Sequence, residues 1–182
     1  MNPWEENNQW VEDDLYFDFS KAKFAFKLDQ DGPEGHGLSS FFKSVDFVVE
    51  WSNQFWLIEV KDPENGNIPE QHKANQLANF KKNLESGHLI EQHLFPKFRD
   101  SLIYLGLERG IPDLPMKYIS LIGMESLQPA ELSGLKSAIW NKDWVKGPAR
   151  GWGKDFEVHC MNVSQWNKHL RMCPITRISQ SE

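Results

Sequence analysis

The chain has 182 residues, of which 40% are hydrophobic, 13% are aromatic and 25% are charged, and its formal net charge is −6. These values are typical of one soluble globular domain with a substantial core, and we expect residues 1–182 to form that single domain. The acidic balance excludes a global basic field of the kind that attracts nucleic acid, although a local basic patch can supply phosphate contacts.

Sequence signals for membrane insertion or export are absent. No apolar run approaches the roughly 18 residues that a membrane span needs. The first 14 residues are acidic and lack the basic and apolar regions of a signal peptide. Two cysteines, Cys160 and Cys173, are too few for a disulfide framework. We therefore expect a cytoplasmic protein with no membrane partner.

The N-terminal part contains candidate acids and one candidate strand. Residues 1–14 favour a short helix or an irregular arm, and their acidic side chains are Glu5, Glu6, Glu12, Asp13 and Asp14. Partial alternation of apolar residues then predicts a strand over about 22–29. The loop at 31–37 is rich in Gly and Pro and leads to the next strands. His36, in this loop, could line a site there, although a lone loop histidine is more often exposed to solvent.

Residues 44–62 predict a β-hairpin around which the rest of the chain is organised. Two runs rich in Val, Ile, Phe and Trp flank a Ser-Asn pair at 52–53, a pattern typical of a tight turn. Counting outward from this turn places Asp46 directly opposite Glu59. Because the strands are apolar on both faces, we expect them to lie inside a sheet that is covered by helices.

Three charged side chains interrupt these strands and should share one face. Opposed residues of an antiparallel pair point to the same side, so Asp46 and Glu59 lie together. Lys61 is two residues beyond Glu59, and strand alternation turns it to that side as well. Opposed like charges are unfavourable unless a cation lies between them, so the pattern predicts a metal site. The alternative is a structural Lys61–Glu59 ion pair, with Asp46 capping a turn.

The remaining sequence predicts three helices and two more strands. The elements are helices over 69–85, 89–107 and 129–140, and strands over 118–124 and 156–163. Ser126 is the expected start of the last of these helices, and Ser164 the expected cap of a final helical turn. The order indicates an α/β fold in which a central mixed β-sheet is flanked by helices.

Twelve residues separate Asp46 from the Glu-x-Lys sequence at 59–61. This pattern resembles the motif of the PD-(D/E)XK nuclease superfamily. In that family one strand supplies the Asp, the next strand carries Glu-x-Lys, and a helix follows. Val45 stands where the family often has Pro, a position at which Pro is frequently replaced. The resemblance covers about residues 22–125 and implies a restriction-endonuclease-like core, with 126–182 as a C-terminal extension.

The resemblance also implies a metal-dependent nuclease. Asp46, Glu59 and the backbone carbonyl of Val60 would bind Mg²⁺, for which Mn²⁺ can substitute. Lys61 would orient the attacking water or offset charge that develops on the phosphate. An upstream acid such as Glu12 completes some sites of the family. The implied substrate is nucleic acid, DNA in preference to RNA, and a homodimer would suit the cutting of both strands.

A helical Gln beyond the Glu-x-Lys strand recurs in some branches of the family, followed four residues later by Tyr. In this chain Gln76 precedes Phe80, which stands in place of the Tyr, and Gln71 lies about one turn earlier. Both glutamines are therefore candidate substrate contacts. A solvated helix face explains either of them equally well.

A basic and aromatic segment at 136–154 could receive the phosphate backbone. Its Lys and Arg residues are interleaved with tryptophans, and Lys146, Arg150 and Trp152 are the candidate contacts to phosphates and unpaired bases. The alternative is a set of core tryptophans under a solvated basic rim. A second group of basic residues is expected to be exposed helix surface: Lys73, Lys81, Lys82, Lys97 and Arg99.

Two functional classes follow from these patterns. The first is the Mg²⁺-dependent nuclease just described. The second is a catalytically silent module with a PD-(D/E)XK fold that binds protein or nucleic acid within a complex. The intact Asp-Glu-Lys set favours the enzyme.

Overall fold

The computed structural model describes residues 2–30, 37–38 and 40–181 of the chain. Strands found in these residues are β1 (Val11–Glu12), β2 (Leu15–Phe17), β3 (Phe24–Lys27), β4 (Phe47–Glu50), β5 (Phe55–Lys61), β6 (Met116–Ile122), β7 (Phe156–Met161) and β8 (Ile175–Arg177). The α-helices are α1 (Pro3–Glu6), α2 (Glu70–Glu85), α3 (Phe95–Glu108), α4 (Pro129–Trp140), α5 (Asp143–Lys146) and α6 (Val163–His169). A π-helical turn, Ile90–Leu94, runs directly into α3.

The central sheet is mixed, as predicted, and has the strand order β3-β4-β5-β6-β7. Strands β3, β4 and β5 are antiparallel neighbours, whereas β5, β6 and β7 are parallel. A small antiparallel sheet, β1-β2-β8, joins the two ends of the chain and was not predicted. Strands β7 and β8 both come from the region after residue 126, so that region supplies an edge of the central sheet and part of the small one.

Strand alternation divides the apolar side chains of the central sheet between two cores. One face, which includes Leu57, packs against α3 and α4 through residues such as Phe98. The other face, which includes Ile58, packs against the small sheet and α6 through Phe17 and Trp166. Each such buried side chain contributes about 1.5 to 3 kcal/mol to folding. The hairpin is therefore covered on both sides, as its two apolar faces predict.

Several predicted boundaries move by a few residues. Gln128, not Ser126, is the N-cap of α4, where it forms a capping box with Glu131. Strand β7 ends at Met161, and Asn162 rather than Ser164 caps α6 by accepting a hydrogen bond from the Gln165 N–H. Amide and carboxylate side chains can reach the free N–H groups of a first turn, so these caps satisfy the same physical need as the predicted serines. Within the described residues, no helix has the length and apolar character needed to cross a bilayer.

Candidate active site at the end of the central hairpin

The hairpin has the predicted register. Strand β4 pairs with β5 so that Phe47 faces Ile58. Asp46 immediately precedes β4, and continuing this register by one residue places it opposite Glu59. Asp46 Oδ2 accepts a hydrogen bond of 2.6 Å from the backbone N–H of Val60. This bond ties the aspartate to the partner strand where the ladder ends. Asp46 and Glu59 therefore lie on one face, at the end of the hairpin that is covered by α3.

Glu59 is the most deeply buried charged group of this cluster. Its side chain is 0% exposed, and burial raises the pKa of the carboxyl to about 8, with the charge of Asp46 acting in the same direction. Lys61 Nζ lies 2.6 Å from Glu59 Oε1, so the Lys61–Glu59 ion pair of the alternative interpretation is present. Oε2 of Glu59 has no hydrogen-bond partner among the described residues. A buried carboxylate oxygen without a partner is costly and indicates a site for a further cation or donor.

A second ammonium group enters the site from α3. Lys97 Nζ lies 3.0 Å from Glu59 Oε1 and 3.6 Å from Asp46 Oδ1. It also contacts Asp29 Oδ2 at 3.0 Å. Burial opposes the charge of Lys97, but the carboxylates around it hold its pKa above the ordinary value. The expectation that Lys97 belongs to exposed helix surface is wrong, because only 15% of its side chain is accessible.

The sequence contains a signal for this position of Lys97. Buried Leu94 and Ser101 lie three residues before it and four residues after it, on one stripe of the helical segment. A charged residue on a buried stripe needs a partner, and only the tertiary fold shows which carboxylates provide it.

An open cavity of about 360 Å³ lies beside the cluster. Glu12 and Asp13 line it, together with Lys61, Lys97 and Gln76. Burial raises the pKa of the carboxyls of both Glu12 and Asp13, and the charge of Asp46 contributes to each shift. Of the five N-terminal acids, these two are therefore the ones near the hairpin carboxylates.

The other three N-terminal acids have different positions. Glu5 takes part in the capping box of α1 and Glu6 is exposed. Asp14 accepts hydrogen bonds from Ser179 and contacts Arg177. The position of an acid in the N-terminal turn, not its spacing from Asp46, decides which of them reaches the cavity.

Arg177 holds the chain immediately after Lys61. Its guanidinium donates two hydrogen bonds to the Asp62 carboxylate, at 2.8 and 2.9 Å, and lies 3.3 Å from Asp14. Gly123 leaves room for this contact, since a Cβ there would lie 2.2 Å from Asp62 Oδ1. Strand β8 and the β1–β2 turn thus fix the segment that carries Lys61, a role that the sequence did not reveal.

The residues present fit a hard cation that retains water. No three His, Cys, Asp or Glu side chains of the described residues stand close enough to form a complete cation cage. Mg²⁺ does not need one, because it binds proteins through one or two carboxylates and keeps several waters. Asp46 Oδ1 and Glu59 Oε2 are the carboxylate oxygens left for such an ion, and Val60, which bonds to Asp46, would add its carbonyl.

The predicted substrate contacts on α2 have separate positions. Gln76 and Phe80 line the cavity. Gln71 lies in the first turn, is exposed, and makes a hydrogen-bond contact with His72. His36 lies outside the described residues.

The candidate contacts in the basic segment lie away from the cluster. Trp152 borders a second cavity together with Met116 and Phe156. These two residues begin β6 and β7, whereas Glu59 is near the C-terminal end of β5. The indole N–H of Trp152 donates to the carbonyls of Trp144 and Val145, so the ring is held by the local fold.

Lys146 and Arg150 precede β7 and are exposed. Because β5, β6 and β7 are parallel, this loop is at the opposite end of the sheet from the carboxylates. The structure therefore brings Gln76 to the cluster and leaves Lys146, Arg150 and Trp152 apart from it.

Comparison of the chain with protein-family models, with curated proteins and with solved structures gives no significant match. The chemistry of the site therefore has to be argued from its own residues.

Proposed function

We propose that this protein is a Mg²⁺-dependent nuclease with a restriction-endonuclease-like core of the PD-(D/E)XK type, and that DNA is its substrate. The observation that carries the proposal is the register of the hairpin, which puts Asp46 opposite Glu59 with Lys61 on the same face. Two carboxylates and an ammonium group at the edge of an open cavity are the groups that metal-assisted phosphodiester hydrolysis uses.

The roles of the side chains follow from their surroundings. Asp46 and Glu59 would hold the cation with the Val60 carbonyl. The chemistry that Mg²⁺ supplies when bound is polarisation of the scissile phosphate and a more acidic water. Lys61 lines the cavity and is held by Glu59, so its ammonium can orient the attacking water or offset charge on the phosphate oxygens. Gln76 would donate a hydrogen bond to the substrate from α2, which also lines the cavity.

The charges of the side chains that line the cavity favour the binding of a cation over the binding of an anion. Among the side chains that line it, acids outnumber lysines. A phosphate group would therefore be repelled until a divalent ion has been bound. This order explains how a chain with a net charge of −6 can act on nucleic acid without a large basic surface.

The test is cleavage of supercoiled plasmid, linear duplex, single-stranded DNA and RNA with Mg²⁺, with Mn²⁺ and with EDTA. Wild-type protein should cleave DNA only when a divalent cation is present. Lys61→Met should lose at least about 100-fold in rate, as expected when one group that stabilises the transition state is removed. Lys117→Met is the matched control, because Lys117 pairs with Glu157 far from the cluster. Cleavage that persists in EDTA and in Lys61→Met would exclude the proposal.

A catalytically silent binding module is the second candidate, and one observation favours it. Glu59 is fully buried and already paired with the ammonium groups of Lys61 and Lys97, as in a structural ion-pair cluster. A purely structural cluster would gain no stability from Mg²⁺, whereas the stability of a metal site rises with the logarithm of the Mg²⁺ concentration above its Kd. A melting temperature that does not change with Mg²⁺, together with no cleavage of any substrate, would select this alternative.

A further inference from the structure

The Lys97 ammonium lies between the carboxylates that the proposed nuclease would use for its metal. It is within 3.0 Å of Glu59 Oε1 and 3.6 Å of Asp46 Oδ1, and these residues come from two different strands. Its third contact, Asp29, follows β3. Lys97 thus provides the cation that neutralises like charges placed opposite each other in the hairpin.

With Glu59 ionised, the charge of the three carboxylates that Lys97 contacts can be balanced by either Lys97 or a divalent ion. Three carboxylates (Asp29, Asp46 and Glu59) and two ammonium groups (Lys61 and Lys97) leave one negative charge. Adding a divalent cation to this set would make it positive. Exchanging the Lys97 ammonium for the divalent cation would make it neutral.

The distances also make the two cations competitors. Lys97 contacts Asp46 Oδ1, which is one of the two oxygens left for Mg²⁺, and Oε1 of the Glu59 carboxylate whose Oε2 is the other. Mg²⁺ binds oxygen at about 2.0 to 2.1 Å, so an ion on Asp46 Oδ1 would lie close to the present position of Lys97 Nζ. Two cations this near repel each other strongly in a partly buried site. Within the described residues, the carboxylate that forms an ion pair with Lys61 is that of Glu59, so Lys61 can remain beside the ion while Lys97 is displaced.

Lys97 has a route out of the cluster. It lines the open cavity, and its partner Asp29 is 42% exposed. A lysine side chain has four rotatable carbon–carbon links to its ammonium, so the group can turn towards solvent without movement of α3.

We propose that Lys97 is a tethered counter-ion that occupies the Asp46–Glu59 cluster in the metal-free protein and leaves it when a divalent cation binds. This inference rests on the proposed function, because it assumes that the two carboxylates bind the metal. Lys97 then sets the concentration of cation at which the site becomes active. Its displacement also frees an ammonium group at the cavity for the phosphate of the substrate.

The first arm of the test measures Mg²⁺ binding by calorimetry to wild type, Lys97→Met, Lys117→Met and Glu59→Gln. Methionine keeps the volume of the lysine stem and removes the competing charge. We expect Lys97→Met to bind Mg²⁺ on the order of tenfold more tightly than wild type, because no ammonium group has to leave the carboxylates before the ion binds. Lys117→Met makes the same change in net charge and should bind like wild type. Glu59→Gln should not bind at this site.

The second arm uses wild-type protein only, so it does not depend on the folding of a variant. Lysine amines are acylated for a short time with and without Mg²⁺, and labelling is read residue by residue by mass spectrometry. Labelling of Lys97 should increase several-fold with Mg²⁺, while labelling of Lys117 should not change.

The outcomes separate the two proposals. Mg²⁺ binding that requires Glu59, with unchanged affinity in Lys97→Met and unchanged labelling of Lys97, would overturn the counter-ion role and leave the nuclease proposal standing. Absence of Mg²⁺ binding to wild type and to Lys97→Met would overturn the metal site itself, and the counter-ion role with it. Tighter Mg²⁺ binding by Lys97→Met, together with increased labelling of Lys97 in wild type, would support both the metal site and the counter-ion role.

Discussion

The carboxylate of Asp46 and the backbone N–H of Val60 are joined by a buried hydrogen bond of 2.6 Å. One oxygen of Asp46 therefore serves the fold, since it pairs a backbone donor at the end of the β4–β5 ladder. The other oxygen, Oδ1, faces Lys97 at 3.6 Å and is the one available to a cation. Structure and proposed chemistry thus depend on different atoms of the same side chain.

Substitutions of Asp46 should separate these two roles. Asp46→Asn keeps an oxygen that can accept from Val60, so its free energy of unfolding should fall by less than about 1 kcal/mol. Asp46→Ala leaves the buried Val60 N–H without a partner and should cost about 1 to 3 kcal/mol. Both should lose Mg²⁺ binding. Denaturant unfolding and calorimetry check the pair, and equal stability of the two variants would contradict the structural role of the bond.

Arg177 should be one of the most important side chains for stability outside the apolar cores. Arg177→Met would leave Asp14 and Asp62 without their shared guanidinium, and loss of one partner from such a buried pair costs about 3 to 5 kcal/mol. Arg150→Met is the matched control, because Arg150 is exposed, and its effect should stay within about 0.5 kcal/mol. Urea unfolding of both variants gives the comparison. Similar small losses of unfolding free energy in both variants would show that the two hydrogen bonds from Arg177 to Asp62 contribute little to stability.

The stability of the protein should decrease in acid partly through Asp14. Burial opposes ionisation of this carboxyl, but hydrogen bonds from Ser179, Gly66 and Arg177 hold its pKa below the ordinary value. Its contribution is therefore complete above the unfolded pKa of about 3.9, and it is lost as the pH falls through the lower folded pKa. Asp14→Asn should start less stable at neutral pH and lose less on acidification. Parallel pH profiles for the variant and wild type would exclude this role.

Gln76 and Gln71 should differ in their effect on cleavage although they lie on the same helix. Gln76 lines the cavity and Gln71 does not. Gln76→Ala should lower kcat/KM by about tenfold, which corresponds to the loss of one hydrogen bond of about 1.4 kcal/mol. Gln71→Ala should leave kcat/KM unchanged. Equal effects of the two substitutions would mean that the substrate does not approach α2 as proposed.

The central hairpin could be predicted from sequence because its information is local. A two-residue turn and strict alternation fix the pairing, and a slip of one residue would have turned Asp46 to the wrong face. The spans of α2 and α4 follow from helical spacing for the same reason. The observed pairing, Phe47 opposite Ile58, is the one obtained by counting from the turn.

The parts that sequence reasoning missed depend on contacts between distant segments. Strand β2 pairs with β8 through Tyr16 and Thr176, and short strands of this kind have little pattern of their own. Lys97 reaches Asp46 and Glu59 only because α3 crosses the site face of the sheet. The helical stripe that it shares with Leu94 and Ser101 indicates a buried face but does not identify these carboxylate partners.

The choice among candidate acids and basic residues also required the fold. Five N-terminal acids were equivalent in sequence, and the β1–β2 turn brings Glu12 and Asp13 to the cavity. The segment with Lys146 and Trp152 had suitable composition for nucleic acid, yet the parallel order of β5, β6 and β7 places it at the far end of the sheet. Composition indicates chemistry, but topology decides its location.

The cleavage rate of Glu59→Gln under single-turnover conditions tests whether Asp46 and Glu59 form a metal-dependent site for phosphodiester cleavage. Glutamine has nearly the same size as glutamate and replaces one carboxylate oxygen of this fully buried group by an amide NH2. With saturating Mg²⁺, we predict that wild type cleaves DNA and that Glu59→Gln is slower by at least about 1,000-fold, a barrier increase of about 4 kcal/mol. A folded Glu59→Gln protein that cleaves at the wild-type rate would show that Glu59 does not bind the catalytic metal.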